Sequence, residues 1–262
     1  MINLLKTVYW FFRKAINSLG TSKKCYICKR TFHHFTEFRG GSKNLSDYIN
    51  ALRFVGSDID NFGCMYCNSN DRERHLFMFF DKLDLWPKFK NSRIIHFAPE
   101  INLPRYIFAK SPTEYVMGDL SPNLEKGIVH LDVTKIPFNE NSFDFLICNH
   151  VLEHVPDIKK ALSEIYRVLK PNGLAVLQTP FSRLLVNNFE EDNIDSKELR
   201  NIFYGQEDHV RVFGQTQFLH DIEKQGLELQ LKKHSDFFDA TTTKYYGVNG
   251  DEDLILVSKG KK

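Results

Sequence analysis

The sequence predicts an α/β protein whose mostly parallel sheet is preceded by a small cysteine-containing module. Three observations support this fold class: a strand, helix, strand unit, acidic residues that follow short apolar runs, and two pairs of cysteines. The strand, helix, strand unit is the clearest of them. It opens with the run from Phe143 to Cys148, which is short and rich in aromatic residues and Ile, as a buried strand is.

A predicted helix follows this strand and returns the chain to the sheet. Asp157 stands at the N-cap position, and Pro-Asn-Gly at residues 171–173 stops the helix before a second apolar run, Leu174 to Leu177. The apolar helix positions recur at three- and four-residue steps: Ile158, Ala161, Leu162, Ile165, Val168 and Leu169. Such a unit joins parallel strands, and ligands bind at the carboxyl ends of those strands. We therefore expect Asn149, His150, Glu153 and His154 to lie at a functional rim of the sheet.

Length and composition indicate one full-sized globular domain with a small module. The chain has 262 residues, of which 42% are hydrophobic and 26% are charged, and these values are ordinary for a domain with a sizeable core. The formal charge of +2 and the pI near 8.2 are too mild for a protein that follows nucleic-acid phosphates. The partner must therefore be inferred from sites, and the sequence does not predict the oligomeric state.

Residues 1–20 are predicted to form an amphipathic helix. Its apolar positions follow a helical spacing, whereas Lys6, Arg13 and Lys14 interrupt the stretch and argue against a membrane span. Two interpretations stay open for residues 1–19: packing on the protein's own core, which we favour, and peripheral contact with anionic headgroups. The stretch lacks the basic start and the cleavage site of a secretory signal, so we expect a cytoplasmic protein.

Residues 21–75 are predicted to be a zinc-binding module. Cys25-Tyr-Ile-Cys28 and Cys64-Met-Tyr-Cys67 form two CxxC pairs with 35 residues between them. Four thiolates on two tight turns suit a closed, tetrahedral, structural Zn²⁺ site, although zinc ribbons commonly have a shorter insert. The alternatives are disulfides, a redox role, or replacement of one thiol by a histidine that follows the first pair.

Residues 76–92 are predicted to form a helix that links the module to a main domain at 93–262. The apolar pattern of this helix ends at Trp86-Pro87. Just before it, Arg72 and Arg74 are interpreted either as ligands for an anion or as a solvated, locally ion-paired face, and we favour the second.

The segment FDFLICNHVLEHVPD, followed by ALSEIYRVLKPNG, combines several features whose order and spacing agree with one family. It resembles the region from the fourth to the fifth strand in class I S-adenosylmethionine-dependent methyltransferases of the broad small-molecule type. The resemblance covers roughly residues 93–259. It implies a Rossmann-like sheet of seven strands, mostly parallel with an antiparallel last strand.

The resemblance also implies a site for S-adenosylmethionine at the tips of successive strands. Asp119 follows the predicted second strand and would accept hydrogen bonds from both ribose hydroxyls, with Leu120 beside it. Asp132 follows the third strand and would face the adenine amino group, while the Val133 amide would face a ring nitrogen. Asn149, after the fourth strand, would line the methyl-transfer cleft.

The first loop departs from the glycine-rich pattern that is usual in the family. After the predicted strand Arg93 to Phe97, the chain has His96, Ala98 and Glu100 near the positions where the family has an acidic residue and glycines. This HFAPE form resembles that of a subset of the superfamily, in which the Glu takes over recognition of the cofactor's charged end. We therefore predict these three residues as cofactor-binding.

Two histidines are candidates for a general base. His150 follows the fourth strand, and His209 lies in a predicted lid insert at 181–214, near Arg211, which is suited to holding an anionic acceptor. The alternative is that the insert residues only pin the lid. Residues 150–154 also spell HxxEH, a zinc-protease pattern, which we reject because no third metal ligand is apparent. His154 is then interpreted as structural.

Together these inferences predict an S-adenosylmethionine-dependent methyltransferase with a structural zinc. The expected acceptor is a small molecule or a saccharide hydroxyl, because similar domains occur among bacterial enzymes that decorate surface polysaccharides. One alternative is an RNA base methyltransferase, which requires a continuous basic face across Arg72, Arg74 and the cleft. Another is a catalytically degenerate cofactor-binding interaction protein, which the glycine-poor first loop suggests.

Overall fold

The structure is a computed structural model that describes residues 14–260. Residues 1–13 of the helix predicted at 1–20 lie outside this range; of the rest, residues 14–18 are helical, and the side chains of Ile16 and Leu19 are exposed. The strands are β1 (Lys23–Lys24), β2 (Thr31–Phe32), β3 (Phe54–Val55), β4 (Arg93–Phe97), β5 (Glu114–Asp119), β6 (Ile128–His130), β7 (Phe143–Cys148), β8 (Leu169–Val176), β9 (Phe181–Ser182), β10 (Phe213–Gly214), β11 (Leu227–Lys232) and β12 (Leu254–Lys259). The helices are α1 (Asp47–Ala51), α2 (Asp71–Lys82), α3 (Leu103–Phe108), α4 (Ile158–Val168), α5 (Lys197–Phe203), α6 (Gln215–Lys224) and α7 (Ala240–Tyr246). Among the described helices, none is long and apolar enough to cross a membrane.

The central sheet has seven strands in the order β11-β12-β8-β7-β4-β5-β6. Strands β8, β7, β4, β5 and β6 are parallel, whereas β12 runs antiparallel to both of its neighbours. This arrangement confirms the predicted mostly parallel sheet with an antiparallel strand at one side. The carboxyl ends of β4, β5 and β7 therefore meet at one edge, where ligands bind in such sheets.

The crossover from β7 to β8 follows the predicted pattern. The Asp157 side chain caps α4 by accepting a hydrogen bond from the Lys160 amide, and the predicted apolar face is buried. The helix ends at Val168, because the chain enters β8 at Leu169, earlier than predicted. The strand passes through the Pro-Asn-Gly sequence with a shift in its pairing to β7, and Asn172 there has φ 63°.

Two hydrophobic clusters cover the two faces of the sheet. Side chains alternate between them along β4, where Ile95 belongs to one cluster and Ile94 to the other. The first cluster contains the apolar faces of α4 and α6. The second is rich in aromatic residues and contains α2 together with residues of the cysteine module. The module is therefore part of the core of the main domain.

Helix α2 corrects two predictions about the linker. It begins at Asp71, with Asn70 as N-cap, and ends at Lys82, so it crosses the predicted boundary at residue 75. Arg74 lies in its first turns and is fully buried, where it donates hydrogen bonds to the carbonyls of Asn61, Phe62, Ser69, Tyr246 and Gly247. It is neither a solvated residue nor an anion ligand; it joins the module to the loop after α7.

The insert at 181–214 is attached to the cysteine module. Its strand β9 pairs antiparallel with β3 of the module and parallel with β10. A small hydrophobic cluster joins Ile49 of α1 to insert residues such as Tyr204. Arg211 is buried and makes two 2.8 Å hydrogen bonds to Glu190, with others to the carbonyls of residues 152, 155 and 156. Arg211 therefore pins the insert and does not hold an acceptor.

Candidate functional site

A cavity of about 550 Å³ lies at the carboxyl ends of β4, β5 and β7. We call it the strand-tip cavity. Its lining includes five of the residues predicted to bind the cofactor: Ala98, Asp119, Leu120, Asp132 and Val133. The structure therefore brings the two predicted carboxylates to one hollow.

Both carboxylates are held by short local hydrogen bonds. Asp119 Oδ1 accepts the amide of Ser121 at 2.7 Å, and Asp132 Oδ1 accepts both the amide and the hydroxyl of Thr134 at 2.8 Å. These contacts fix each side chain at the end of its strand and use one oxygen of each. In the described part of the chain the second oxygen of each carboxylate accepts no hydrogen bond, so it is available to ligand donors. Gly118 approaches β6 closely, because an added Cβ would lie 2.3 Å from the Cβ of Leu131.

The first loop contributes backbone to the cavity and side chains to a buried cluster behind it. Ala98 lines the cavity with φ 46°, a left-handed conformation that costs about 1–2 kcal/mol for a residue other than glycine. His96, Glu100 and Asn149 are not part of the lining. Glu100 accepts a 2.6 Å hydrogen bond from Asn149, and its other oxygen lies 2.9 Å from His96 Nε2, out of line for a hydrogen bond.

The charge of Glu100 is maintained by this cluster. Burial raises the pKa of the Glu100 carboxyl, but the His96 ring and the Asn149 amide outweigh burial, and the pKa falls below its ordinary value. His96 Nδ1, on the other side of the ring, lies 2.8 Å from the Tyr115 hydroxyl. The three predicted residues thus support the wall of the strand-tip cavity from behind.

A second cavity of about 490 Å³ lies under the insert, and we call it the lid cavity. Its walls come from the cysteine module, from the insert and from the loop before β12. Arg72 and His209 line it, and His150 lines both cavities, so the two hollows meet at His150. His150 has φ 54°, a strained value that is typical of functional sites.

His150 is held by a buried chain that sequence reasoning missed. Its Nε2 lies 2.9 Å from Glu252 Oε1, and the other Glu252 oxygen lies 3.4 Å from His75 Nδ1. His75 Nε2 in turn lies 2.8 Å from His234 Nδ1, whose ring continues to Thr243 at 2.6 Å. Glu252 belongs to an acidic run before the last strand, which is an ordinary loop signal, so no local pattern indicated it.

The charged groups along this series of hydrogen-bonded side chains favour the protonated form of His150. Burial and the charge of Arg72 lower the pKa of His150, but the carboxylates of Glu153 and Glu252 outweigh them and raise it above its ordinary value. Burial raises the pKa of Glu153, yet His150 and neighbouring histidines bring it down to about 2. Burial likewise raises the pKa of Glu252, but His150 and His75 hold it well below the usual range.

His209, the other predicted base, lies at the wall of the lid cavity but is only 1% exposed. Its Nδ1 lies 2.9 Å from the Tyr204 carbonyl, and its Nε2 has no hydrogen-bond partner among the described residues. Burial lowers the pKa of His209, against the charge of Glu153, which raises it. The ring of His154 packs against it edge to face at 4.8 Å. Glu153, His154 and His209 each have one potential ligand atom within 4.8 Å of the other two, so a third candidate ligand, which was not apparent from the sequence, lies beside the HxxEH segment.

The four paired cysteines form one cluster in the module. Their sulfur atoms lie within 4.8 Å of one another, with Cys25 3.6 Å from Cys67 and Cys28 3.8 Å from Cys64. All four are free cysteines, and the two pairs repeat one backbone pattern in which an amide four residues on donates to the first cysteine's carbonyl. The histidines that follow the first pair, at residues 33 and 34, are exposed and outside the cluster.

Comparison with known proteins finds a match to a methyltransferase domain in the central part of the chain. Residues 107–177 match a family model described as a methyltransferase domain. They run from α3 to the end of β8 and include Asp119, Asp132 and His150. A solved S-adenosylmethionine-dependent methyltransferase from Mesorhizobium loti covers 69% of this chain and 97% of its own, with a TM-score of 0.51 and 14% identity. The fold is therefore that of class I S-adenosylmethionine-dependent methyltransferases.

Sequence relatives match over short stretches. A demethylmenaquinone methyltransferase of Staphylococcus epidermidis is 47% identical over 49 residues, which are 19% of this chain and 20% of that protein. One of Staphylococcus aureus is 42% identical over 81 residues, 26% of this chain and 34% of that protein. The chain thus spans between a fifth and about a third of the length of these relatives.

Proposed function

We propose that the protein is an S-adenosylmethionine-dependent methyltransferase that binds its donor in the strand-tip cavity and its acceptor in the lid cavity. One observation carries the proposal: Asp119 and Asp132, at the tips of neighbouring strands, line a single cavity of about 550 Å³. Two carboxylates in one partly buried hollow match the ribose hydroxyls and adenine amino group of a nucleoside. The methyltransferase family match over the same residues supports this assignment.

The proposed reaction is an in-line displacement. An acceptor oxygen attacks the methyl carbon, the bond from carbon to sulfur breaks, and the sulfonium takes the electron pair and leaves as a neutral thioether. The proton of the acceptor hydroxyl passes to a base. Alignment of two bound partners can lower such a barrier by about 7–11 kcal/mol, and a base adds about 10²–10⁴-fold. Of the two predicted bases, His209 is the better candidate to accept this proton, because its pKa is lowered by burial whereas the surroundings of His150 favour the protonated form.

The lid cavity favours a small, polar acceptor that carries hydroxyl groups. Its polar lining includes six carboxylate and amide side chains and three serines, together with two arginines and two aromatic rings: Asp58, Asp60, Asn44, Asn201, Gln206, Asn249, Ser42, Ser46, Ser57, Arg39, Arg72, Phe38 and Phe54. Such groups pair with neighbouring hydroxyls, and the rings cover apolar faces. A saccharide hydroxyl is therefore the proposed acceptor, rather than the demethylmenaquinone that the relatives' name states.

The alternative of an RNA base methyltransferase required a continuous basic face, which the position of Arg74 does not support. A continuous basic face would need both Arg72 and Arg74 at the surface, but Arg74 is buried and bound to backbone carbonyls.

The alternative of a catalytically degenerate protein rested on the glycine-poor first loop. Ala98 nevertheless adopts the left-handed conformation that a glycine commonly supplies, and it lines the cavity.

We also propose that the cysteine cluster holds a structural Zn²⁺. A tetrahedral site with sulfur at about 2.3 Å from the metal separates neighbouring sulfur atoms by about 3.8 Å. The two measured pairs, at 3.6 and 3.8 Å, fit this requirement. The hydroxyl of Ser69 lies 3.4 Å from Cys25 and 3.3 Å from Cys67, close enough to orient the thiolates. The ion would bind the two turns together and so stabilise the module.

Transfer of label from a labelled donor tests the proposed function. The full chain is incubated with methyl-labelled S-adenosylmethionine and fractionated cell extract, and label is followed into glycan, lipid, RNA and protein. We expect label in small polar molecules or glycan, and none with the Asp119→Ala variant. Label confined to RNA would contradict the proposed acceptor, and donor binding without any transfer would support the degenerate alternative.

A further inference from the structure

A second cluster of metal-binding side chains lies where the two cavities meet. Glu153, His154 and His209 each bring one potential ligand atom to within 4.8 Å of the other two. His154 lines the strand-tip cavity, and His209 lines the lid cavity. Glu153 lies behind them and is 1% exposed. This cluster is separate from the four cysteines of the module.

Hydrogen bonds to backbone carbonyls determine which ring nitrogens face one another. His209 Nδ1 lies 2.9 Å from the Tyr204 carbonyl, and His154 Nδ1 lies 3.1 Å from the Asp208 carbonyl. A carbonyl only accepts, so Nδ1 must carry the hydrogen in both rings. With the hydrogen on Nδ1, the neutral tautomer of each ring has its lone pair on Nε2, which is the arrangement of metal-ligating histidines.

The third member of the cluster is also an acceptor. One Glu153 oxygen accepts a 3.0 Å hydrogen bond from the Thr179 hydroxyl. The other, Oε1, is buried without a hydrogen-bond partner among the described residues, as is His209 Nε2. Glu153 Oε1 lies 4.0 Å from His154 Nε2 and 3.4 Å from His150 Nδ1, and neither contact is a hydrogen bond.

Two of the three potential ligand atoms, Glu153 Oε1 and His209 Nε2, are buried acceptors without a hydrogen-bond donor among the described residues, whereas the His154 side chain is 32% exposed. Each buried acceptor that lacks a partner costs about 1–3 kcal/mol. A cation among them would remove this cost, since it interacts with every lone pair at once. The nearest protein cation is His150, whose Nδ1 does not point along a hydrogen bond to Glu153 and whose Nε2 is bonded to Glu252.

We propose that Glu153, His154 and His209 bind a divalent first-row transition metal ion. Two imidazoles and one carboxylate suit Zn²⁺, Fe²⁺, Co²⁺ or Mn²⁺ better than the hard cations Mg²⁺ and Ca²⁺. With three protein ligands, the ion keeps open positions, as catalytic rather than structural sites do. The carbonyls of Tyr204 and Asp208 orient the two rings in the manner of an outer ligand shell.

The role of this ion rests on the proposed function. An acceptor oxygen bound at an open position would lose its proton more readily, because a bound cation stabilises the alkoxide. His209 would then act as a ligand and not as the base, and the released proton would pass to water. The ion would thus hold the acceptor between the two cavities.

Cobalt binding to the protein itself tests the proposal. Tag-free full chain, purified with its cysteine-bound metal, is titrated with Co²⁺ by calorimetry and absorption spectroscopy. We expect one equivalent with the weak absorption of nitrogen and oxygen ligands, which differs from the intense bands of cobalt thiolate. Glu153→Gln and His154→Ala should weaken this binding at least about tenfold, the smallest effect expected even of an outer-shell change.

A matched control and a separate readout keep the outcomes distinct. His220→Ala, which removes a histidine whose side chain is 70% exposed, should leave cobalt binding unchanged. The proposal is overturned if the wild type binds no cobalt outside the cysteines, or if both ligand variants bind cobalt like the wild type. Calorimetry with S-adenosylmethionine alone tests the proposed function separately, because it requires no cobalt.

Discussion

Replacing Glu73 by Gln should remove a loss of stability that the wild type undergoes as the pH rises. Glu73 lies in α2 and is buried, and its carboxylate accepts hydrogen bonds from the Asn102 and Leu103 amides at the start of α3. Burial, reinforced by the negative charge of Glu100, raises the pKa of Glu73 to about 7, although these hydrogen bonds oppose the rise.

The sign and size of this pH effect on stability follow from the difference between the pKa of Glu73 in the folded protein and its pKa in the unfolded chain. In the unfolded chain the pKa is near 4.5, so between pH 4.5 and 7 the folded protein binds more protons at this residue than the unfolded chain does. The stabilisation is fully present below pH 4.5 and is lost as the pH rises to about 7. At about 1.4 kcal/mol for each pH unit, the total loss is about 3 kcal/mol.

Denaturant unfolding at pH 5, 6, 7 and 8 measures this loss. Glu73→Gln has no charge to bury, so the difference in unfolding free energy between wild type and variant should change by about 2.5 kcal/mol between pH 5 and pH 8, mostly below pH 7. Taking the difference cancels the pH dependence of the cysteine site and of other groups. Parallel curves for the two proteins across this range would refute the assignment.

Two further predictions concern the module. Arg74→Met should lower the unfolding free energy by at least about 3 kcal/mol, because several buried carbonyls lose their donor. The neighbouring change Arg72→Met should alter the unfolding free energy by only about 0.5 kcal/mol. Equal effects of the two changes in denaturant unfolding would contradict the structural role of Arg74. Cys64→Ser should lose the bound zinc in metal analysis, whereas Cys148→Ala, at a buried cysteine in β7, should retain it. Full zinc content in Cys64→Ser would argue against the four-cysteine site.

Features that depend on neighbouring residues were predictable from the sequence. The strand Phe143–Cys148 and the cap at Asp157 follow from local patterns, and both are confirmed. Asp119 and Asp132 were paired because each ends a short apolar run. Parallel strands place such ends at one edge, and the two residues line one cavity.

Features that depend on distant parts of the chain were not predictable in this way. Arg74 looked like a surface residue because two of its five carbonyl partners, those of residues 246 and 247, are more than 170 positions away. Glu252 meets His150 and His75 only in the folded protein. His209 likewise reaches the HxxEH segment because β9 and β10 fold the insert back over it.

Calorimetric titration of S-adenosylmethionine into the wild type and into Asp119→Asn tests the central claim most directly. The claim is that Asp119, in the strand-tip cavity, holds the nucleoside of the donor. We predict one site per wild-type chain and a loss of at least about tenfold in affinity for the variant, since charge-assisted hydrogen bonds are worth about 1.5–3 kcal/mol each. Asp251→Asn, at an exposed carboxylate, should bind like the wild type. Absence of wild-type binding, or equal affinity in Asp119→Asn, would contradict the account.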